Sequence, residues 1–376
     1  MADLARRSRD GLDGPDGQGG LAATLALSQI PGIGPVRLRQ LIAAYGSAES
    51  ALAAQNGRLD AGLAILDRLK ELNARVLLAD DPEFPPMLAE MSDPPALLYV
   101  WGDLAQARRE AVAFVGSRNC TPYGLEAARI LARDVGATGK VTIVSGMARG
   151  IDTAAHQAAL DVGAGSVGVL GNGFGIVYPP SNERLYERMV ERGCLITELP
   201  PDQPPYQGAF PRRNRLISGL ARVTVVVEAA VKSGALITVD AALNQGRTVL
   251  AVPGPITSPT SEGCNKLIQQ GATPALTAGD ILEELGLPRG HAAGAADGIR
   301  DTGNGKREVR EVERTPPSDL DPVQRSLWDA MGPELRHVDA LVAAGGGDAG
   351  KVLVALTDLE MRGIVRQEPG MRFGLR

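Results

Sequence analysis

The sequence predicts an α/β core on a doubly wound, mainly parallel β-sheet, with a smaller module on either side. Short apolar runs alternate with amphipathic helical stretches such as 124–135. The runs that we expect to form strands span 111–115, 141–144, 166–170, 223–227 and 248–252. Alternation of this kind is typical of parallel strands joined by right-handed helical crossovers, with helices covering both faces of the sheet.

The segments on either side of the core differ from it in pattern. Apolar residues at helical spacing, such as Leu38, Leu41 and Ile42, predict a small helical module near the N-terminus. Three helical patterns followed by a β-hairpin turned at Pro369-Gly370 predict a winged-helix module at the C-terminus. The expected divisions are a disordered tail at 1–20, the helical module at 21–75, the core at 76–285, a flexible linker at 286–318 and the winged-helix module at 319–376.

Composition excludes several classes of protein. A net charge of −5 and a pI near 5.5 exclude a uniformly basic nucleic-acid coat, so a polyanion must be met by a local basic patch. The cysteines are too scattered for a disulfide framework, and the histidines show no zinc-ligand spacing. The N-terminus lacks an apolar signal segment, and no apolar run approaches the ~20 residues of a membrane span. We therefore expect a soluble cytoplasmic protein without a metal or another cofactor.

The most informative local feature is a basic run just before the apolar segment 223–227. It reads Phe210-Pro211-Arg212-Arg213-Asn214-Arg215 and brings three guanidinium groups and an amide together. Guanidinium groups bind phosphate through a planar fork of donors, and aromatic side chains stack on unpaired bases. The run therefore predicts an anion-binding site, although one of the three arginines is expected to be structural and to reach back to a helix end.

Three predicted strands end in small residues that open a helix. The turns are Gly116-Ser117-Arg118, Ser145-Gly146 leading to Arg149, and Lys232-Ser233-Gly234 leading to Thr238. Such turns aim backbone N–H groups and the positive end of a helix dipole at a bound phosphate. Because carboxyl ends of parallel strands meet at one edge of a sheet, these turns and the arginine run should form one polyphosphate surface. Helix capping would equally explain the serines and Thr238, and solubility would equally explain Lys232.

Six motifs, in their order along the chain, resemble those of the DNA-processing protein A family, also called the Smf family. They are Gly116-Ser117-Arg118, Ser145 to Asp152, Gly171-Asn172-Gly173 with Tyr178-Pro179, Phe210 to Arg215, Ser233 to Thr238, and Ala251-Val252-Pro253-Gly254. The resemblance covers essentially the whole chain. It implies a Rossmann-like core, a sterile-alpha-motif-like N-terminal domain and assembly into homodimers. It also implies a single-stranded-DNA-binding protein that protects incoming DNA during natural transformation and loads the RecA recombinase onto it.

Residues, turns and resemblance together give one expected DNA-binding set. Its members are Gly116, Ser117, Arg118, Ser145, Gly146, Arg149, Gly171, Asn172, Phe210, Arg212, Arg213, Asn214, Arg215, Lys232, Ser233, Gly234 and Thr238. Arg118 is expected to bind phosphate, and an ion pair with Asp152 or Glu228 is its alternative role. Duplex DNA stays an alternative ligand for the same surface.

Two other classes of function compete with DNA binding. Asp152, Glu198 and Glu228 raise the question of glycosidic cleavage, which needs two carboxylates placed across one bond. The core resembles the nucleoside-monophosphate phosphoribohydrolase group, but Lys232 to Ala235 stands where that group has its Pro-Gly-Gly-x-Gly-Thr loop. No ATP-binding Gly-x-x-x-x-Gly-Lys-Ser/Thr run is present, and His156 has no nucleophile partner in the sequence pattern. We therefore do not expect an enzyme, and a pure partner adaptor is the second alternative.

Three further features have open interpretations. The run Ile30-Pro31-Gly32-Ile33-Gly34 before a helical stretch is typical of a helix-hairpin-helix, whose turn either binds phosphate or only packs two helices. The third helix of the winged-helix module has almost no net positive charge, which favours protein contact or autoregulation over DNA reading. The apolar residues expected at a dimer surface are Leu267, Ile268, Pro274 and Leu276, with packing against the sheet as their alternative role.

Overall fold

The computed structural model describes residues 15–288, 317, 319–331, 336–344, 346–362, 364–368 and 372–375. The chain divides into two compact units, with the boundary after residue 295. Most of the predicted linker at 286–318 and the predicted turn at Pro369-Gly370 lie outside the described residues.

The first unit begins with helices, as the apolar spacing predicts. They are α1 (Pro15–Ser28), α2 (Pro35–Tyr45), α3 (Ala48–Ala54) and α4 (Asp60–Glu71). Helix α1 begins inside the 1–20 segment for which disorder was expected, because its residues Leu25 and Leu27 are fully buried in a shared apolar core. That core continues onto Tyr99 and Leu195 of the sheet, so these helices pack directly on it.

The first unit is organised around one nine-stranded sheet. Its strands are β1 (Arg75–Leu78), β2 (Leu97–Gly102), β3 (Ala111–Val115), β4 (Thr142–Ser145), β5 (Ser166–Val169), β6 (Cys194–Thr197), β7 (Val223–Val226), β8 (Thr248–Ala251) and β9 (Thr273–Pro274). The strand order is β1-β2-β6-β5-β4-β3-β7-β8-β9. Along this spatial order, each strand from β6 through β5, β4, β3, β7 and β8 to β9 is parallel to its neighbour. Strand β2 is antiparallel to both β6 and β1. The predicted doubly wound, mainly parallel sheet is confirmed.

Helices cover both faces of the sheet. They are α5 (Pro86–Ala89), α6 (Pro122–Gly136), α7 (Ile151–Asp161), α8 (Glu183–Arg192), α9 (Ala209–Gly219), α10 (Ala235–Asn244), α11 (Glu262–Gln269) and α12 (Ala278–Glu284). Alternate residues of β3 enter two different cores, because successive side chains of a strand point to opposite faces. Val112 and Phe114 pack with residues of α6 and α7, whereas Ala113 and Val115 pack with residues of α9 and α10.

The second unit has the predicted winged-helix topology. Its elements are α13 (Pro322–Ala330), β10 (Arg336–His337), α14 (Val338–Ala344), α15 (Ala349–Met361), β11 (Val365–Glu368) and β12 (Arg372–Leu375). The strands form an antiparallel sheet in the order β10-β12-β11, over a core that includes Leu327, Leu341, Leu356 and Phe373.

No single helix in the described part of the chain is both long and apolar enough to cross a bilayer. Helices α14 and α15 meet the length and composition criteria only as a pair, with a bend of 108° between them.

Candidate nucleic-acid interface

The polarity of the sheet gathers several strand ends at one edge. Strand β3 lies between β4 and β7, so the chain leaves β3 toward one side of the sheet and returns to its other side at β7. In doubly wound sheets, ligands bind at such a switch point, outside the carboxyl ends of the strands. Two adjoining clefts of 390 and 250 Å³ open there and share Arg118, Ala148, Phe210 and Arg213 in their lining. We call these two clefts together the groove.

The arginine run lies in the first two turns of helix α9. Phe210, Pro211 and Asn214 of this segment line the groove. Successive helical residues point about 100° apart, so the three arginines enter different surroundings. The sequence run therefore does not act as one continuous charged surface.

Arg213 lies beneath the groove and connects the ends of two strands. Its side chain is buried, and its guanidinium donates hydrogen bonds to the carbonyl oxygens of Gly146 and Val169. The Asp152 carboxylate, which accepts N–H bonds from Gly146 and Ala148 at 3.1 and 3.2 Å, interacts electrostatically with it. Burial lowers the pKa of Arg213 to about 10 and raises the pKa of Asp152, while each charge partly opposes the shift of the other. This contact set gives Arg213 a structural role at the ends of β4 and β5.

Arg215 and Arg212 meet a buried carboxylate on the other side of α9. Arg215 donates to Glu198 at 2.6 Å and to the carbonyl oxygen of Asp93 at 2.7 Å. Burial raises the pKa of Glu198, and the two arginines oppose this shift. The Arg212 side chain is 46% exposed and its Nε lies 3.9 Å from the same carboxylate, so its guanidinium keeps donors free for a further partner.

The exposed face of the groove carries a stack of one guanidinium and two aromatic rings. The Arg118 guanidinium lies over the Phe210 ring at 5.1 Å from its centroid. The Tyr178 ring follows on Phe210, with centroids 5.5 Å apart and planes 36° apart. Arg118 and Arg149 are exposed and line the same cleft. Tyr178 belongs to one of the sequence motifs but was not predicted to lie in the site, because only the fold brings it next to Phe210.

The backbone donors of two turns are already used within the protein. The Ser117 N–H donates to the Glu228 carbonyl oxygen at 2.7 Å, and the Gly146 N–H donates to Asp152. The Ser145 hydroxyl is fully buried and donates to the Phe114 carbonyl oxygen at 2.6 Å. These groups shape the floor of the groove, whereas the sequence had suggested that they point at a ligand.

The end of β7 contributes an open turn to the groove. Ser233 and Gly234 line it, and Lys232 beside them is exposed. The Ser233 hydroxyl accepts the Ala235 N–H at 3.3 Å, and the Asn214 amide approaches the Gly234 carbonyl oxygen at 3.5 Å. Thr238, one turn into α10, is buried but lines the same cleft. This turn therefore places the exposed Lys232 beside Ser233 and Gly234 of the groove lining.

Two glycines are required by close packing at the groove. A Cβ on Gly171 would lie 2.8 Å from the Phe210 ring, and one on Gly116 would lie 2.5 Å from Ile151 and 3.0 Å from the Glu228 carbonyl oxygen. Asn172 is buried and donates to the carbonyl oxygens of Gly173 and Ile176 at 3.0 and 2.6 Å. Gly171, Gly116 and Asn172 thus position the stacked rings and the strand end.

The remaining titratable groups of the core are engaged internally. Glu228 is buried and accepts both the backbone N–H and the hydroxyl of Thr121, the latter at 2.6 Å. His156 is fully buried beside the Ser166 hydroxyl at 2.8 Å, and burial lowers its pKa to about 3. Among the described residues, no cluster of three or more His, Cys, Asp or Glu side chains is placed to hold a metal ion.

The residues expected at a dimer surface lie at the β9 edge of the sheet. Leu267 and Ile268 of α11 pack partly against the core. Pro274 in the edge strand β9 is exposed, and Leu276 is 68% exposed. The segment thus combines packing contacts with an exposed apolar part.

Comparison with protein families and curated proteins finds clear relatives. The family model described as DNA recombination-mediator protein A matches residues 75–286, and the model described as DprA winged helix domain matches residues 311–371. Protein Smf of Synechocystis is 33% identical over 94% of this chain and 98% of its own length. The DNA processing protein DprA of Streptococcus pneumoniae is 40% identical over 54% of this chain and 72% of its own length.

Solved structures agree with these matches. DprA from Streptococcus pneumoniae superposes with a TM-score of 0.56 at 31% identity, covering 75% of this chain and 96% of that one. DprA from Helicobacter pylori, from a study of its single-stranded DNA binding mode, superposes with a TM-score of 0.52 at 27% identity. That match covers 57% of this chain and 96% of the Helicobacter pylori chain.

Proposed function

Because this chain belongs to the DNA recombination-mediator protein A family, we propose that its groove binds single-stranded DNA. The observation that carries the proposal is the stack of Arg118, Phe210 and Tyr178 at the switch point of the sheet. Proteins hold unpaired nucleic acid by combining cations that follow the backbone with aromatic faces on which bases stack. The stack offers both within one cleft.

The groove favours single strands over duplex DNA for a geometric reason. Its clefts of 390 and 250 Å³ are of the size that binds small ligands, so each suits one or two nucleotides. Only an unpaired base presents its face to a ring such as Tyr178, which is 37% exposed. A duplex would present its phosphates to Arg118 and Lys232 but would leave the aromatic face unused.

We assign three roles to the groove residues. Arg118, Arg149 and Lys232 neutralise successive phosphates, and Arg212 adds a charge beside them. Phe210 holds Arg118 in place and supports Tyr178, on which a base stacks. Arg213 and Asp152 do not contact DNA but fix the loops that carry the other residues, which is supported by their burial and hydrogen bonds.

We further propose that the bound strand is protected and passed to the RecA recombinase in the cytoplasm during natural transformation. This role rests on the family, and a homodimer through Leu267, Ile268, Pro274 and Leu276 would double the binding surface. Two linked sites bind one strand more tightly than either site alone. The test is RecA filament formation on oligo-dT already bound by this protein. Loading that persists in Arg118→Ala would instead support a partner adaptor that acts without DNA.

The binding test is fluorescence anisotropy of labelled oligo-dT and its duplex across a salt series. Arg118→Ala should weaken single-strand binding about tenfold or more and lower the slope of log affinity against log salt by about 0.7. Arg129→Ala is the matched control, because Arg129 is an exposed arginine of α6 paired with Glu126 at 2.9 Å. Equal affinities for the two variants would refute the groove.

Nucleotide cleavage is the alternative that the same groove raises. Asp152 lines the groove, but it is held by two backbone N–H groups, and Glu228 is held by Thr121. Carboxylates bound in this way support a structural role more than acid–base chemistry on a ligand. Release of ribose phosphate from a nucleoside monophosphate at high protein concentration would overturn our preference for binding.

A further inference from the structure

A third cleft lies between the N-terminal helices and the sheet. It has a volume of 310 Å³ and is lined on one side by the loop 30–34 and the start of α2. Its other side is formed by the segment from Glu198 to Tyr206 and by Arg212 of α9. We call it the N-terminal cleft. It is comparable in volume to either half of the groove, and Arg212 is the residue of its lining to which the proposed function gives a role.

The N-terminal cleft and the groove adjoin each other. A narrow depression lined by Gly171, Tyr206, Arg212 and Arg213 shares residues with both. Helix α9 places its consecutive arginines on the two sides of this junction, with Arg213 under the groove and Arg212 in the N-terminal cleft. A DNA strand that follows the groove past Phe210 therefore meets Arg212 next.

The electrostatics of the N-terminal cleft favour an anion. The lining includes the exposed guanidinium of Arg212, and helix α2, which begins at the cleft, contains no carboxylate. The first hydrogen bond within helix α2 runs from the Leu38 N–H to the Gly34 carbonyl oxygen at 2.9 Å. No described side chain caps the N-terminus of this helix. The N–H groups of its first turn therefore keep free hydrogen-bonding capacity at the positive end of the helix. Glu198, the carboxylate in the lining, is bound by Arg215 at 2.6 Å.

The other walls of the cleft suit a nucleobase. Tyr206 is 43% exposed and lines both the cleft and its junction with the groove. Gln29 and Gln203 add amide side chains to a lining that also includes apolar residues such as Pro200. An aromatic face beside a guanidinium and a helix N-terminus matches one nucleotide, with its base on the ring and its phosphate at the positive groups.

We propose that the N-terminal cleft is a second nucleotide subsite, which extends the single-stranded track of the groove past Arg212 to the start of α2. The inference rests on the proposed DNA binding by the groove. Arg212 is the residue at which the two sites meet. The N-terminal helical region thereby contacts DNA directly, and the affinity of the protein depends on whether the strand is long enough to reach both sites.

The test is binding of an oligo-dT length series, from about 4 to about 16 nucleotides, by wild type, Val36→Glu and Gln40→Glu. Val36 is 51% exposed and follows Pro35 of the cleft lining in the first turn of α2, where a carboxylate stabilises the helix but repels an anion bound at its N-terminus. Gln40 is exposed further along the same helix and controls for the added charge. We expect Val36→Glu to weaken binding of the longest oligonucleotides about three- to tenfold and to leave the shortest unchanged, with a smaller effect of Gln40→Glu.

Each outcome separates the subsite from the groove. Length profiles that coincide for wild type and Val36→Glu, together with lost binding at every length in Arg118→Ala, would overturn the subsite and leave the groove intact. A wild type that binds no oligo-dT would overturn both. As a second measurement, long oligonucleotides carrying 5-iodouracil should photo-cross-link to Tyr206 of the wild-type protein. Adducts confined to groove residues such as Tyr178 would contradict the subsite.

Discussion

Replacing Arg213 with methionine should destabilise the first unit without directly removing a DNA contact. The guanidinium is 6% exposed and donates to the carbonyl oxygens of Gly146 and Val169 beside the Asp152 carboxylate. Removing the guanidinium leaves these two buried carbonyl oxygens without their donor and the Asp152 carboxylate without the nearby positive charge, which together should cost about 3–5 kcal/mol. Arg212→Met is the matched control. Its side chain is 46% exposed and lies 3.9 Å from Glu198, so its loss should cost about 1 kcal/mol or less.

Urea unfolding followed by circular dichroism measures the two costs. With a slope of about 1–3 kcal/mol per molar urea, the midpoint of Arg213→Met should fall by at least about 1 M, and that of Arg212→Met by far less. Adding Asp152→Asn to Arg213→Met should restore part of the loss, because the amide oxygen can still accept the Gly146 and Ala148 N–H groups. Wild-type stability in Arg213→Met, combined with lost oligo-dT binding, would refute the structural role and make Arg213 a direct DNA ligand.

Three other perturbations test separate parts of the structure. Gly171→Ala should weaken oligo-dT binding by about 1–3 kcal/mol in anisotropy, because its Cβ would displace the Phe210 ring; unchanged affinity would contradict the stacking role. Lys232→Gln should lower the salt slope by about 0.7, and an unchanged slope would leave Lys232 a solubility group. Burial lowers the pKa of His156 to about 3 from 6.5, so between these two pH values His156 is protonated only in the unfolded chain. The contribution of His156 to the free energy of unfolding therefore falls by about 1.4 kcal/mol for each pH unit below 6.5. His156→Gln should reduce that acid sensitivity in urea titrations at pH 4.5–7, and identical pH profiles would refute it.

The parallel centre of the sheet was predictable and its edges were not. Strands β3, β4, β5, β7 and β8 are buried on both faces, which gives short continuous apolar runs that stand out in the sequence. Strand β6 (Cys194–Thr197) is equally buried, but its short apolar run follows directly after a charged helix. Strand β9 has two residues, and an element this short leaves no periodic signal.

The candidate site could be located from the sequence, but the roles within it could not. The motifs indicated the carboxyl edge of the sheet, and the groove opens there. Which arginine faces a ligand depends on the helical period of α9, and no helix or strand was predicted for the run. The sequence predicted one structural arginine, whereas the structure has two engaged within the protein: Arg213 is buried, and Arg215 forms an ion pair with Glu198. Tyr178 was missed because its approach to Phe210 is set by tertiary packing alone.

The charge distribution explains how an acidic protein can bind a polyanion. The chain carries a net charge of −5, yet the carboxylates of Asp152, Glu198 and Glu228 near the groove are each bound by donors of the protein itself. Arg118 and Arg149 therefore line the groove, and Lys232 is exposed beside it, without a competing carboxylate from these three residues. Three phosphate contacts would give a salt slope of about 2, which is shallow for a nucleic-acid-binding protein. Stacking on the aromatic rings must then supply much of the affinity, so binding should persist at salt concentrations that abolish duplex binding through phosphates alone.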